Sequence, residues 1–226
     1  VTTIQRDQIR AIVRPPAGEG KRPPPGGWSG ALVLHHGRGT DEHDLAPLLD
    51  VFDPQRRLLG LSVGAPLTLP GTPGHHWYAL AQLGYPPPEH FIPTWEQLTE
   101  FLDTALEEHD VPIGKTIVGG FSQGTVMSYA LGLARDRPAP AGILAMSGFI
   151  PHVEGVPLDP AARKGMPVAI AHGSLDPVIP VDFAHAARDE LTAAGLDVEY
   201  HESPMGHTID PRVIPALSDW VARVLP

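Results

Sequence analysis

The residue types from which a reactive centre can be assembled are limited at the outset, because the 226 residues include no cysteine. Disulfides, thiolate metal sites and a cysteine nucleophile are excluded together. A serine stands in a setting that suits the role instead. Gly120-Phe121-Ser122-Gln123-Gly124 follows an apolar run and precedes a helical pattern through Val126, Met127, Ala130, Leu131 and Leu133. Gly-x-Ser-x-Gly between a strand and a helix is the signature of a turn that lifts the serine hydroxyl above a sheet, with glycines where backbones pass closely. A serine hydroxyl is a poor nucleophile near neutral pH, so this reading demands a histidine base and a carboxylate to orient it, in the chain order Ser, Asp, His.

Asp176 lies just past an apolar strand pattern, in Gly173-Ser174-Leu175-Asp176-Pro177. His207 lies in Met205-Gly206-His207-Thr208, after the next strand pattern. Of the 12 histidines, His201 falls within an expected strand, His172 ends one, and His109 and His185 sit on helical segments. Only His207 occupies a glycine-containing loop after both the serine and the acid. Rival acids are Asp159, Asp182 and Asp197, of which the last two read as charges at helix or strand entries. An oxyanion requires two backbone N–H groups. One is expected from Gln123, directly after the nucleophile, and one from Arg38 in His36-Gly37-Arg38-Gly39. The Arg38 side chain either faces solvent or guides a substrate carboxylate.

These groups need a scaffold that delivers loops to one edge. Runs apolar on both faces at 31–35, 116–121, 141–147 and 167–172, with 197–202, read as parallel strands covered by helices. A shorter strand is expected near 58–63 and a single edge strand over 3–13. Thr94 with Gln97 reads as a capping box opening a helix to about 109. Residues 181–194 read as a helix closed by Gly195, and Asp210 before Pro211 reads as the start of a last helix. Alternating strands and helices predict an α/β fold with a mainly parallel central sheet. Proline and glycine clusters at 15–27, 64–74 and 86–88 read as loops of a single domain over 1–226, with an edge strand and loop over 1–29 and a catalytic core over 30–226.

Sixteen basic against 26 acidic side chains give a formal net charge of −10, which repels phosphate backbones and excludes nucleic acid as an expected partner. No apolar run is long enough for a signal segment or a membrane span. A soluble, cytoplasmic protein is expected, and Val1 reads as a trimmed start, which leaves a removed leader open. The adjacent pairs His35-His36 and His75-His76 point to opposite faces in extended chain, which disfavours a metal site.

Together, Leu34-His35-His36-Gly37-Arg38-Gly39-Thr40-Asp41-Glu42-His43-Asp44, Gly120 to Gly124, Leu144-Ala145-Met146-Ser147-Gly148, Ala171 to Pro180 and Met205-Gly206-His207 resemble the phospholipase/carboxylesterase family of α/β-hydrolases, from about residue 30 to the C-terminus. The resemblance implies an α/β-hydrolase fold without a large cap domain and a triad of Ser122, Asp176 and His207. It also implies hydrolysis of short- to medium-chain carboxylic esters, or of thioesters or lysophospholipids, with no metal or cofactor and often as a homodimer. By the same resemblance Leu67, Trp77 and Tyr78 lie near the acyl site. Read from the residues, Trp77 and Tyr78 either wall an apolar groove or anchor a long loop to the core. The family departures are the His35-His36 pair and the proline-rich 85–93 segment. A non-catalytic ligand-binding protein of the same fold is the reading from another class.

Overall fold

Alternation along the strands builds two cores at once. In β3 (Ala31–His35) Ala31 and Val33 enter one apolar cluster while Leu32 and Leu34 enter the other. The same division holds in β5 (Thr116–Phe121), β6 (Gly142–Met146) and β7 (Pro167–Gly173), so the strands need helices on both faces. One face is covered by α2 (Pro88–Glu108), α3 (Gln123–Leu133) and α4 (Asp182–Ala193), the other by α1 (Ala46–Phe52) and α5 (Ile214–Val224). The computed structural model describes residues 2–6, 8–17, 28–68, 70–80 and 82–226. Val1, residues 18–27 of the proline-rich tract and Leu69 of the 64–74 loop lie outside them.

With β1 (Thr2–Arg6), β2 (Ile9–Arg14), β4 (Leu59–Gly64) and β8 (Asp197–Ser203), the sheet has eight strands in the order β1-β2-β4-β3-β5-β6-β7-β8. The β1–β2 and β2–β4 pairs are antiparallel and all pairs from β4 to β8 are parallel. This is the expected α/β-hydrolase sheet, and the described residues form no large cap. Registers such as His35 with Gly120, Phe121 with Met146 and Gly173 with Ser203 bring the C-terminal ends of the central strands to one edge, where open α/β sheets bind ligands. Among the described residues no helix is long and apolar enough to cross a membrane.

Several boundaries differ from expectation for identifiable reasons. The N-terminal segment is a hairpin, not one edge strand: the chain reverses between Arg6 and Ile9, so Ile9, Ala11 and Val13 face the core while β1 takes the exposed edge. Helix α2 starts at Pro88, because Pro87 and Pro88 supply an extended N-cap followed by proline in the first turn. Thr94 is therefore buried inside the helix and caps nothing. Asp210 closes a turn through its carbonyl to the Val213 amide (3.1 Å) and its carboxylate to the Arg212 amide (2.9 Å), and α5 begins four residues later with Pro215 in its first turn. The short helix α1 was not anticipated; its Leu49 and Phe52 are buried.

A buried ion pair ties the antiparallel end to this frame. Arg14 reaches Asp53 at 2.9 Å and the Leu58 carbonyl at 3.2 Å, while the Asp53 carboxylate also accepts the amides of Arg57 (3.0 Å) and Leu58 (2.9 Å). A Cβ on Gly60 would meet Arg14 Nε at 2.7 Å, so the absent side chain makes room for the guanidinium. Arg14→Met leaves Asp53 buried without its cation and is expected to lower the unfolding free energy by about 3 kcal/mol or more. Arg56→Met, at an exposed pair with Asp50, should cost less than about 1 kcal/mol. Urea unfolding of both variants checks this, and equal losses would refute the distinction.

Candidate active site

Between β5 and α3 the chain turns at one residue. Ser122 has φ 55° and ψ −120°, a conformation that costs an L-residue about 1–3 kcal/mol and persists only when its surroundings enforce it. The Ser122 amide donates to the Met146 carbonyl at 3.0 Å, and its carbonyl accepts from Val126 at 3.2 Å. Thr125 Oγ1 lies 2.5 Å from the Gly120 carbonyl and 2.7 Å from that of Met146, and accepts the Met146 amide at 3.0 Å. A Cβ on Gly124 would fall within the carbonyl oxygen of His35, and one on Gly120 within the backbone of Gly124. The two glycines of the motif are thus required by close approach. Thr125 was not singled out from sequence, since one buried threonine in a helical pattern carries no distinguishing signal.

The structure brings Ser122, His207 and Asp176 together. His207 Nε2 lies 2.9 Å from Ser122 Oγ, and Nδ1 lies 2.6 Å from Asp176 Oδ2. With Nδ1–H donated to the carboxylate, Nε2 is free to accept the serine proton. Asp176 Oδ1 accepts the amides of Val178 (2.8 Å) and Ile179 (2.9 Å). Burial acts to raise the Asp176 carboxyl, but the bond from His207, the two amides and the charge of His207 together hold it below the usual carboxylate range. The His207 loop is drawn onto β7 by bonds from Ser174 to the Ser203 carbonyl (2.7 Å) and from Leu175 to that of Met205 (3.0 Å). Gly173 leaves no room for a Cβ against the Met205 and Gly206 carbonyls. His172, seen in the sequence only as a strand end, is buried beneath the acid. It donates Nε2–H to the Ile179 carbonyl at 2.8 Å and lies 3.5 Å from Asp176 Oδ2; burial holds its pKa low.

Gly37, Arg38, Ser122, Gln123 and His207 line one cavity of about 270 Å³, whose apolar wall includes Tyr78, Leu80, Leu83, Pro86, Phe149 and Ile179. Gly37 passes close enough that its Cβ would stand 3.5 Å from Ser122 Cβ. Gln123 opens α3, where amides lack helical partners and the dipole favours negative charge. Its side chain accepts the Trp77 amide at 3.1 Å and donates to the Tyr78 carbonyl at 2.9 Å. Trp77 is fully buried, donates its indole N–H to the His36 carbonyl at 2.8 Å, and does not line the cavity. The anchoring alternative thus describes Trp77, while Tyr78 belongs to the wall. Leu67 does not line the cavity either, because it is drawn into a bridge with His76. The 85–93 segment supplies Pro86 to the wall and the first turns of α2.

The His35-His36 pair serves the backbone. His35 Nδ1 donates to the Gly119 carbonyl at 2.9 Å, with Ser128 Oγ at the same distance. His36 Nε2 accepts the Ala65 amide at 2.9 Å, which leaves Nδ1–H to donate to the Gly37 carbonyl at 2.5 Å. Burial pushes His35 down to about 3 and His36 down to about 4, so both rings are neutral. Among the described residues, Asp41, Glu42 and His43 bring ligand atoms within 4.8 Å of one another. Asp41 already accepts the His43 amide (2.9 Å), and Glu42 faces Arg10 at 3.6 Å.

A family profile described as phospholipase/carboxylesterase matches residues 26–225. The chain is 29% identical over 157 residues to acyl-protein thioesterase 1 of Debaryomyces hansenii, covering 67% of this chain and 65% of that protein. The matched stretch spans between about half and two-thirds of the length of the first such thioesterases. Among solved structures, esterase PE8 superposes with a TM-score of 0.76 at 27% identity, covering 95% of this chain and 98% of that one. The Bacillus cereus carboxylesterase has the same fold, with a TM-score of 0.76 at 23% identity over 96% and 94%.

The two neutral histidines make stability depend on acid. Their folded values lie below the unfolded value of about 6.5, so the unfolded chain binds protons that the native chain refuses. Their contribution is complete above pH 6.5 and is lost as pH falls toward 4. At pH 5 each should have forfeited about 2 kcal/mol relative to pH 8. His36→Gln should therefore flatten the fall in urea midpoint between pH 8 and pH 5, and an unchanged slope would contradict the assignment.

Proposed function

The chain belongs to the phospholipase/carboxylesterase family, and on that premise we propose that it is a serine carboxylesterase acting on short- to medium-chain esters through an acyl-enzyme. The observation that carries this reading is the line of contacts from Asp176 to His207 to Ser122, at 2.6 and 2.9 Å, opening on an apolar cavity. Ser122 Oγ attacks the ester carbonyl as His207 Nε2 takes its proton. Asp176, held by two amides, fixes the tautomer and steadies the imidazolium. The amides of Arg38 and Gln123 receive the negative oxygen of the tetrahedral intermediate. His207 then passes its proton to the leaving alcohol and draws a proton from water, which releases the acid and restores the serine. The reaction asks for no cofactor, since these residues supply nucleophile, base and charge stabilisation.

A cavity of about 270 Å³ lies at the small end of the range for small-molecule sites. That supports a short or medium acyl chain rather than a long one. The thioesterase reading draws on the name of the Debaryomyces hansenii relative and on the exposed Leu80 and Val178 at the cavity mouth, over which a longer chain could run.

Ser122→Ala should reduce turnover of 4-nitrophenyl butyrate by at least about 10⁴-fold while leaving the thermal midpoint no lower. A fluorophosphonate should form one adduct, on Ser122; an unlabelled serine at high reagent excess would favour the non-catalytic binder. Across 4-nitrophenyl esters, kcat/KM should peak at or below about eight acyl carbons, since a small cavity favours short and medium chains. A maximum at sixteen carbons with thioesters preferred would favour the thioesterase.

A further inference from the structure

Arg38 brings to the cavity a group that ester hydrolysis as described leaves unused. Its amide serves the oxyanion in the reading above, but Arg38 is also an exposed residue of the cavity lining. Among the described residues it forms no hydrogen bond or ion pair, whereas Arg10, Arg14, Arg56, Arg137, Arg188 and Arg212 each face a carboxylate. The acids beside it in sequence do not neutralise it. Asp41 pairs with His43, Glu42 faces Arg10, and Asp44 lines the same cavity without closing an ion pair to Arg38. Its charge is nonetheless felt locally: burial first, and Arg38 second, hold His76 low.

The other titratable lining groups are His207, required as base, Asp44, and the buried phenol of Tyr78. In a chain of net charge −10 the overall field repels an anion, so an unpaired arginine on the cavity that Ser122 lines has a specific consequence. Its planar fork matches a carboxylate bidentately, where a lysine would offer a point charge. We propose that Arg38 holds a carboxylate of the substrate, so that the preferred esters carry one free carboxylate close to the scissile bond, as half-esters of dicarboxylic acids do. Arg38 is then a specificity residue, and Asp44, on the same lining, repels the incoming carboxylate. The inference rests on the esterase reading for its choice of substrate.

Binding separates the two claims. The Ser122→Ala protein, which needs no turnover, is titrated by ligand-observed NMR with monomethyl succinate and with its neutral counterpart, methyl butyrate. The anion should bind roughly tenfold tighter or better, and the advantage should shrink with added salt. It should vanish in Ser122→Ala/Arg38→Met, return in part with Arg38→Lys, and grow in Ser122→Ala/Asp44→Asn. Equal affinities in Ser122→Ala, or an advantage that survives Arg38→Met, would overturn the proposal while leaving ester hydrolysis intact. In the wild-type protein the same preference should appear mainly in KM. Failure of the wild-type protein to hydrolyse any ester would count against the esterase reading and not against the anion site.

Discussion

The site depends on one crowded turn. Ser122 can hold a positive φ only because the backbone is trapped on every side, by Met146 on the neighbouring strand, Val126 in the first turn of α3, and the His35 carbonyl pressed where a side chain on Gly124 would be. The strain is local, but the forces that hold it come from three strands and a helix. The same helix α3 is buried along its entire length, which keeps the turn at its start from fraying. Arg163 reinforces its far end, where its Nε donates to the Gly132 carbonyl at 3.0 Å and its guanidinium also reaches the Ala134 and Arg137 carbonyls, satisfying groups that a helix C-terminus leaves open.

The acid side of the site rests on hydrogen bonds rather than strain. Both oxygens of the Asp176 carboxylate are occupied, one by two amides of its own turn and one by His207. His172 closes that turn from below through the Ile179 carbonyl, and as a neutral ring it supplies a donor without adding a positive charge beneath the acid. Neutral rings at 35 and 36 do the same for the loop after β3. Three buried histidines thus act as structural donors and acceptors beside a fourth that is placed to move protons, and what separates them is access to the cavity.

What could be read from residues alone follows from how local the physics is. Ser122, Asp176 and His207 were legible because each sits in a short loop whose position in the chain order of strands is itself informative, and the central strands were legible because both faces had to be apolar. The unread parts were non-local or ambiguous. A proline at the start of a helix and a proline in a loop look alike, which hid the first turns of α2 and the whole of α1. Whether 3–13 is one strand or two depended on a reversal between Arg6 and Ile9 that no glycine or proline marks. Leu67 and Trp77 could not be sorted from Tyr78 by type, since all three are large and apolar. Only the bridge to His76 and the indole bond to His36 remove the first two from the cavity.

Gln123 ties rate and fit into one position. Its amide opens α3 next to Ser122, where the proposed reaction would gather charge, and its side chain grips the segment bearing Tyr78, so the residue after the serine is also a hinge pin for the wall opposite. A family diversifying its substrates through this residue would disturb the chemistry with every change of shape. Leu80 and Leu83 line the same space and are the freer sites for such drift: the wall can be remodelled from its outer courses while its keystone stays put.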